Sequence, residues 1–219
     1  MKLKKLVAIT LSAVMCMAAL TGCGGKSDSA KKTAKVIEVD LTDEQYAFGV
    51  DKDQPDLLKE VNQFVKDMKS DGTFDEICNR YFGDGTPVPV KSAAYDESKD
   101  QLVVATNAAF EPFEYMDGEN YVGIDMEIAK ALADKLGKEL VIQNMDFDAV
   151  CLSVGQHKCD VAMAGLTIKP DREEYVAFSD PYYSASQKLI TLSTDTEFDA
   201  CKTADDVNKI LEAKGSDLK

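Results

Sequence analysis

QLVVATNAAFEPFEYMDGENYVGIDMEIAKALADKLGKELVIQNMDFDAVCLSVGQHKCDVAMAGLTIKPDR occupies residues 101–172 and sets the expected architecture. Leu102–Ala105 is a short apolar run of strand type. Gly123–Leu136 reads as a helix: Ile124, Ile128, Ala131, Leu132 and Leu136 share one face, Asp125 stands near its start and Gly137 ends it. Glu139–Gln143 is a second strand, Phe147–Val154 a short helix and Asp160–Ala164 a third strand. This alternation predicts an α/β fold: an open, mostly parallel sheet with right-handed crossovers and helices on both faces.

Such a sheet binds ligands beyond the carboxyl ends of its strands. Three segments leave those ends: Thr106–Phe113, Asn144–Asp148 and Gly165–Arg172. The first two carry the rings Phe110 and Phe147. The third carries Gly165, Thr167 and Arg172, one of only two arginines in a chain that otherwise uses lysine. Rings to flank a side chain, beside donors for a carboxylate, describe a pocket for an amino acid or similar small acid. Arg172 can fork onto a carboxylate through two N–H bonds, and Thr167 and the backbone around Gly165 add donors.

Amino-terminal to this stretch, Gly83–Asp100 is rich in Gly and Pro, has no periodicity and reads as a linker or long surface loop. Before it, Val36–Val39 and Tyr46–Val50 are strand candidates. Pro55 opens a helix whose stripe is Leu57, Leu58, Val61, Phe64, Val65 and Met68, and Phe74–Phe82 is a second, shorter helix. On the carboxyl side, Asp180-Pro181 marks a bend, Lys188–Leu192 is a strand and Asp205–Ala213 a last short helix.

The chain has 219 residues, 45% hydrophobic and 29% charged, enough to bury a core. A net charge of −14 argues against a nucleic-acid partner. The single histidine, His157, sits in a Gly-Gln-His-Lys turn where exposure is expected. One histidine excludes a zinc site built on several, and a serine-protease-type triad unless His157 serves it. No cofactor and no metal site are expected.

The first residues describe export. Three lysines in Met1–Lys5 precede the apolar run Leu6–Leu20, which is short for a membrane span. Leu20-Thr21-Gly22-Cys23 resembles the bacterial lipobox, in which the Cys is lipidated and becomes the first mature residue; the alternative is an ordinary signal peptide. Gly24–Lys35 is small, polar and basic, a flexible tether suited to an anionic lipid surface. Of the remaining cysteines, Cys78, Cys151, Cys159 and Cys201, the expectation is small core hydrophobes, with Cys151–Cys159 the pair best placed for a bridge.

Four motifs, Ala108–Tyr115 (AAFEPFEY), Val122–Ala129 (VGIDMEIA), Asp160–Arg172 (DVAMAGLTIKPDR) and Ala177–Tyr183 (AFSDPYY), stand in order behind that lipobox. Together they resemble the solute-binding lipoproteins of polar amino-acid ABC transporters, the extracellular solute-binding family 3 with the type II periplasmic-binding-protein fold. The resemblance implies two α/β lobes closing on an amino acid, which is then delivered to permease subunits at the outer face of the cell membrane. It places the ligand α-carboxylate on Arg172, the ligand side chain between Phe110 and Phe147, and the first lobe's share of the pocket on Asn107, Ala164, Gly165 and Thr167. Lys169 stands where the family usually has a Thr cap, with Asp171 as a substitute.

The order of segments departs from the family. Leu41–Gly83 looks like the carboxyl-terminal end of such a protein, yet comes first. The implied division is signal peptide 1–22, tether 23–40, the carboxyl-terminal part of lobe 1 over 41–83, linker 84–100, the amino-terminal part of lobe 1 over 101–186, and a crossing strand with the start of lobe 2 over 187–219. One lobe would be complete and the second mostly missing, by circular permutation, by truncation, or by fusion of one protein's tail to another's head. Function classes left open are an amino-acid-binding component of an importer, a degenerate relative acting as sensor or scaffold, and, least, an enzyme such as a dehydratase. No enzyme is the expectation, since no acid–base pair stands out.

Overall fold

The computed structural model describes residues 33–216; the expected signal peptide, Cys23 and the greater part of the expected tether lie outside the described residues. In chain order the elements are β1 (Ala34–Val36), β2 (Glu44–Tyr46), β3 (Gly49–Asp51), α1 (Pro55–Ser70), α2 (Thr73–Phe82), β4 (Gln101–Thr106), β5 (Ala109–Phe110), β6 (Glu114–Asp117), β7 (Asn120–Val122), α3 (Ile124–Leu136), β8 (Glu139–Asn144), α4 (Phe147–Gly155), β9 (Val161–Ala162), α5 (Pro170–Glu173), β10 (Val176–Phe178), β11 (Tyr183–Ala185), β12 (Ile190–Leu192) and α6 (Ala204–Ser216). They fall into two compact units, Asp43–Ala185 and the flanking segments up to Thr42 and from Ser186.

The Asp43–Ala185 unit is built on a five-stranded sheet of order β10-β3-β9-β4-β8. β4 pairs parallel with β8 and β9, and β3 runs antiparallel between β9 and β10. Four strands thus point one way and β3 alone opposes them. The single long run expected over Tyr46–Val50 is two elements: β2 leaves to pair with β11, and only β3 enters the sheet. All six residues of β4 are buried, and they alternate between faces. Leu102 and Val104 meet Val61, Phe64, Val65 and Met68 of α1 and Ile128 and Leu132 of α3 in one cluster. Val103 and Ala105 meet Val150, Cys151 and Val154 of α4 in another. Helices therefore cover both faces.

Local chemistry explains the boundaries. Pro55 occupies the first turn of α1, where its missing N–H costs nothing. Gly123, at φ 133°, opens α3 where a Cβ would lie 2.1 Å from the Phe113 carbonyl oxygen, so the helix start and the β6 approach require glycine. α5 begins at Pro170 after Lys169, and no side chain caps it, neither Lys169 nor Asp171. Residues 109–122 form a three-stranded antiparallel ribbon, β5-β6-β7, turning at Gly118. Its strands are too short for the alternation to show in sequence.

The segment between α2 and β4 is pinned along its length. Val90 exchanges backbone bonds with Tyr121 at 2.7 and 3.0 Å, Ala93 N–H donates to Leu140 O, and Ser92 Oγ accepts from Ile142 N–H at 2.8 Å. Val88 N–H donates to Glu127, a buried carboxylate that also binds Arg80 and the Tyr81 hydroxyl. The segment thereby covers the open edge of β8, which would otherwise present unpaired backbone.

In the other unit, β1 pairs with β12, and Ile37, Val39, Phe198 and Val207 form a small cluster beside Leu189 and Ile210. Ala34 and Lys35, expected in the tether, are strand residues because Ile190–Leu192 offers them a partner. Asp206 accepts the Lys202 and Thr203 N–H groups, which caps the start of α6. Among the described residues no helix is long and apolar enough to cross a membrane. Cys78, Cys151, Cys159 and Cys201 are free thiols. Cys151 and Cys159 pack as buried apolar side chains in the same cluster, without the bridge the spacing allowed.

Candidate functional site

The carboxyl ends of β4, β8 and β9 lead into the three segments that carry the expected site residues. Asn107 Nδ2 donates to Met145 O at 2.7 Å, and Asn144 Oδ1 accepts from Ala108 N–H at 2.9 Å, tying the first segment to the second. Phe110 is 44% exposed and stacks on Phe113 with centroids 5.6 Å apart. Phe147, at the first position of α4, is 40% exposed, and the Arg172 guanidinium carbon lies 5.0 Å from its ring centroid. Arg172 Nη1 donates to Thr167 O at 2.8 Å, so the guanidinium is held between a carbonyl and a ring face. One of its five N–H groups is used in this bond.

Gly165 sits at φ 52°, and a Cβ there would meet the Phe110 ring at 2.9 Å. Arg172, Thr167 and Phe147 thus form one group, and Gly165 with Phe110 another. Asn107 gives one of its two side-chain N–H donors to Met145 O. Ala164 is buried in the α4-side cluster. A cavity of about 320 Å³ adjoins the Arg172–Phe147 pair on the α4–α5 side, but it reaches none of Asn107, Phe110, Ala164, Gly165 or Thr167.

Several residues that shape this edge were not legible as site residues. Asp125, fully buried in the first turn of α3, accepts the Gly165 N–H at 2.9 Å and the Tyr182 hydroxyl at 2.5 Å. Tyr182 in turn stacks on Phe48 with centroids 4.4 Å apart. The carboxylate therefore clamps the left-handed turn of the loop from beneath. Glu114 is buried beside it, and one of its oxygens lacks a hydrogen-bond partner. Burial first, and then the neighbouring Asp125, push the Glu114 carboxyl far above the usual range. Burial raises Asp125 too, opposed by its two donors. The physical division is that Glu114 keeps the proton and Asp125, with donors on both oxygens, carries the charge. Tyr46 and Glu44 of β2 complete the edge. Thr167 Oγ1 lies 3.5 Å from Glu44 Oε2. Burial, then Glu44, push the Tyr46 hydroxyl up to about 12. The one available signal was Asp125 itself, an acid in the apolar-rich run VGIDMEIA.

At the opposite edge His157 is not simply a solvated turn residue. Its Nδ1 lies 2.8 Å from Oδ2 of buried Asp51, and its Nε2 lies 3.6 Å from Asp53. Each ring nitrogen faces a different carboxylate, and the bond to Asp51, then its charge, raises the His157 pKa.

A family model for the bacterial extracellular solute-binding proteins, family 3, matches residues 8–84 and 102–217. The arginine-binding extracellular protein ArtP of Bacillus subtilis is 40% identical over 96 residues, 44% of this chain and 38% of its own length. The probable arginine-binding protein ArtJ of Chlamydia trachomatis is 36% identical over 99 residues, again 44% and 38%. A cyclohexadienyl dehydratase of Pseudomonas aeruginosa is 33% identical over 95 residues, 43% and 35%. Among solved structures, a point mutant of the arginine-bound form of domain 1 from TmArgBP is 34% identical, with a TM-score of 0.39, covering 55% of this chain and 95% of that one. The chain thus spans under half the length of the curated relatives it matches. With the family model covering most of its residues in two blocks, the chain belongs to the bacterial extracellular solute-binding proteins, family 3.

Proposed function

We propose that this chain binds a polar amino acid, with arginine the first candidate, by its α-carboxylate on the Arg172 edge, as the extracytoplasmic component of an ABC importer. The observation that carries the reading is the Arg172 guanidinium, held by the Thr167 carbonyl and the Phe147 ring at the carboxyl edge of the sheet. Its remaining N–H groups form the fork that a carboxylate accepts. Two half-exposed rings, Phe110 and Phe147, stand where an apolar or guanidinium side chain would stack. The arginine-binding relatives support the choice of ligand.

The same reading places the protein outside the cell membrane, held by lipid on Cys23, with permease subunits as its partners. Membrane fractionation of a Cys23→Ala chain tests the anchor. The segment order is read as a circular permutation, supported by β3 lying between β9 and β10 in one sheet. Binding rather than catalysis is the role. The dehydratase among the relatives makes turnover of its substrate class the competing outcome.

Calorimetry with the twenty amino acids tests the proposal. Ligand held on this edge alone stays half solvated, so an affinity on the order of millimolar is expected, about a thousandfold below a closed two-lobe site. Arg172→Lys is expected to lose binding as fully as Arg172→Ala, because a point charge lacks the planar fork. Undiminished binding by Arg172→Ala sinks this placement of the ligand.

A further inference from the structure

We propose that the edge of the sheet where β9 and β10 begin carries a site for a divalent cation of the zinc class, with His157 Nε2 and the Asp53 carboxylate as ligands and buried Asp51 as the residue that aims them. The site is independent of the Arg172 reading. A chain with one histidine excludes a zinc site built on several, and leaves room for a mixed nitrogen and oxygen set. Asp51, Asp53 and His157 supply that set. One donor atom from each lies within 4.8 Å of the other two, and among the described residues no other such group of three occurs. Asp51 ends β3, Asp53 stands in the turn before α1, and His157 follows α4.

Exposed acids alone do not mark a site. What marks this one is the buried carboxylate behind it. Asp51 is 3% exposed; its Oδ1 accepts the Asp53 N–H at 2.9 Å, and its Oδ2 lies 2.8 Å from His157 Nδ1. One buried group therefore fixes the backbone of one ligand and the ring of the other. A carboxylate on one ring nitrogen sets the tautomer, leaves the other nitrogen's lone pair for a metal and makes the ring a better donor. That other nitrogen, Nε2, lies 3.6 Å from Asp53 Oδ2. The separation is too long for a hydrogen bond. It matches the about 3.3–3.5 Å between neighbouring nitrogen and oxygen ligands of a tetrahedral zinc. Both ligand side chains are more than half exposed, so water takes the remaining positions. Lys52, between the two aspartates, sends its ammonium to Glu174 O at 2.9 Å rather than to either carboxylate. Imidazole with carboxylate and water suits zinc or nickel, whereas calcium and magnesium take oxygen ligands.

The single histidine makes the test direct. The full chain is titrated with zinc chloride alone, and the proton and nitrogen resonances of the one imidazole are followed by NMR. Sub-millimolar zinc is expected to shift them saturably, with the metal on Nε2 while Nδ1 keeps its proton. Asp53→Asn alters an exposed side chain, keeps the fold and is expected to weaken binding at least about tenfold. Asp51→Asn is expected to weaken it about tenfold and to lose the tautomer preference. Calcium chloride should leave the ring resonances in place. Zinc that binds His157→Gln as tightly as the wild-type protein is held elsewhere, on the free thiols for example, and overturns the site. Ring resonances unmoved by zinc, zinc on Nδ1, or wild-type affinity in Asp53→Asn overturn it too. A ring shift with calcium equal to that with zinc overturns the zinc-class assignment.

Discussion

Two buried aspartates stand at opposite edges of one sheet, and their partners differ in kind. Asp51 closes β3 at the edge where β9 and β10 begin. It takes the backbone N–H of Asp53 and the ring of His157, which is more than half exposed. Asp125 lies at the edge where β4 and β9 end. It takes two donors from inside the protein, the Gly165 N–H and the Tyr182 hydroxyl, and it lies beside the Glu114 carboxyl, which burial and then Asp125 push far above the usual range. Asp51 ties a surface turn to the sheet, with water at hand for what it leaves unpaired. Asp125 holds the backbone of the candidate site through two bonds that are themselves buried. The comparison teaches that burial alone does not mark a working residue. What the carboxylate holds, and whether solvent can substitute, does.

The largest expected effect follows directly. Asp125→Ala strands two buried donors, each costing ~1–3 kcal/mol, so a loss of about 3–5 kcal/mol is expected. Asp51→Ala releases donors that water can reach and should cost about 1 kcal/mol. Urea denaturation at pH 7 gives both numbers, and equal losses would break the comparison.

A smaller effect separates the edges by pH. The native state raises both Glu114 and Asp125, so above the ordinary carboxylate range it binds more protons than the unfolded chain. Stability must then fall as pH rises from that range through neutrality. The proton so held sets a slope of at most ~1.4 kcal/mol per pH unit, an upper bound of about 4 kcal/mol from pH 5 to 8. Glu114→Gln cannot ionise and should flatten that slope. An unchanged slope means the proton resides elsewhere.

The smallest effect sits at the Asp51 edge. The bond to Asp51, then its charge, raises the His157 pKa. Its contribution is complete below the ordinary histidine value of about 6.5 and is lost as pH rises through the folded value. As the chain's single histidine it gives one imidazole resonance, which should titrate high in wild-type protein and near the ordinary value in Asp51→Asn. Titration unaffected by Asp51→Asn would remove the ion pair from the comparison.

The α1 stripe, the α3 periodicity with Gly123 and Gly137 at its ends, and the apolar run of β4 were all legible in sequence. Each is a local pattern: spacing names the buried face of the two helices, and an unbroken apolar run marks a strand buried on both faces. β10, β11 and the β5-β6-β7 ribbon were not, because strands of two to four residues carry too little alternation and form only where a partner edge waits. Arg172, Thr167, Gly165, Phe110 and Phe147 could be nominated from their place after strands and from residue type. That Arg172 bonds to Thr167 rather than standing free, that Gly165 hangs from Asp125, and that Glu44 reaches Thr167 were decided only by tertiary structure. Those contacts join residues 5, 40 and 123 positions apart. Sequence determines which chemistries are available at each strand end, because backbone period and residue type are local. Which of them converge depends on the register in which distant strands pair, and that is settled by packing the whole sheet at once.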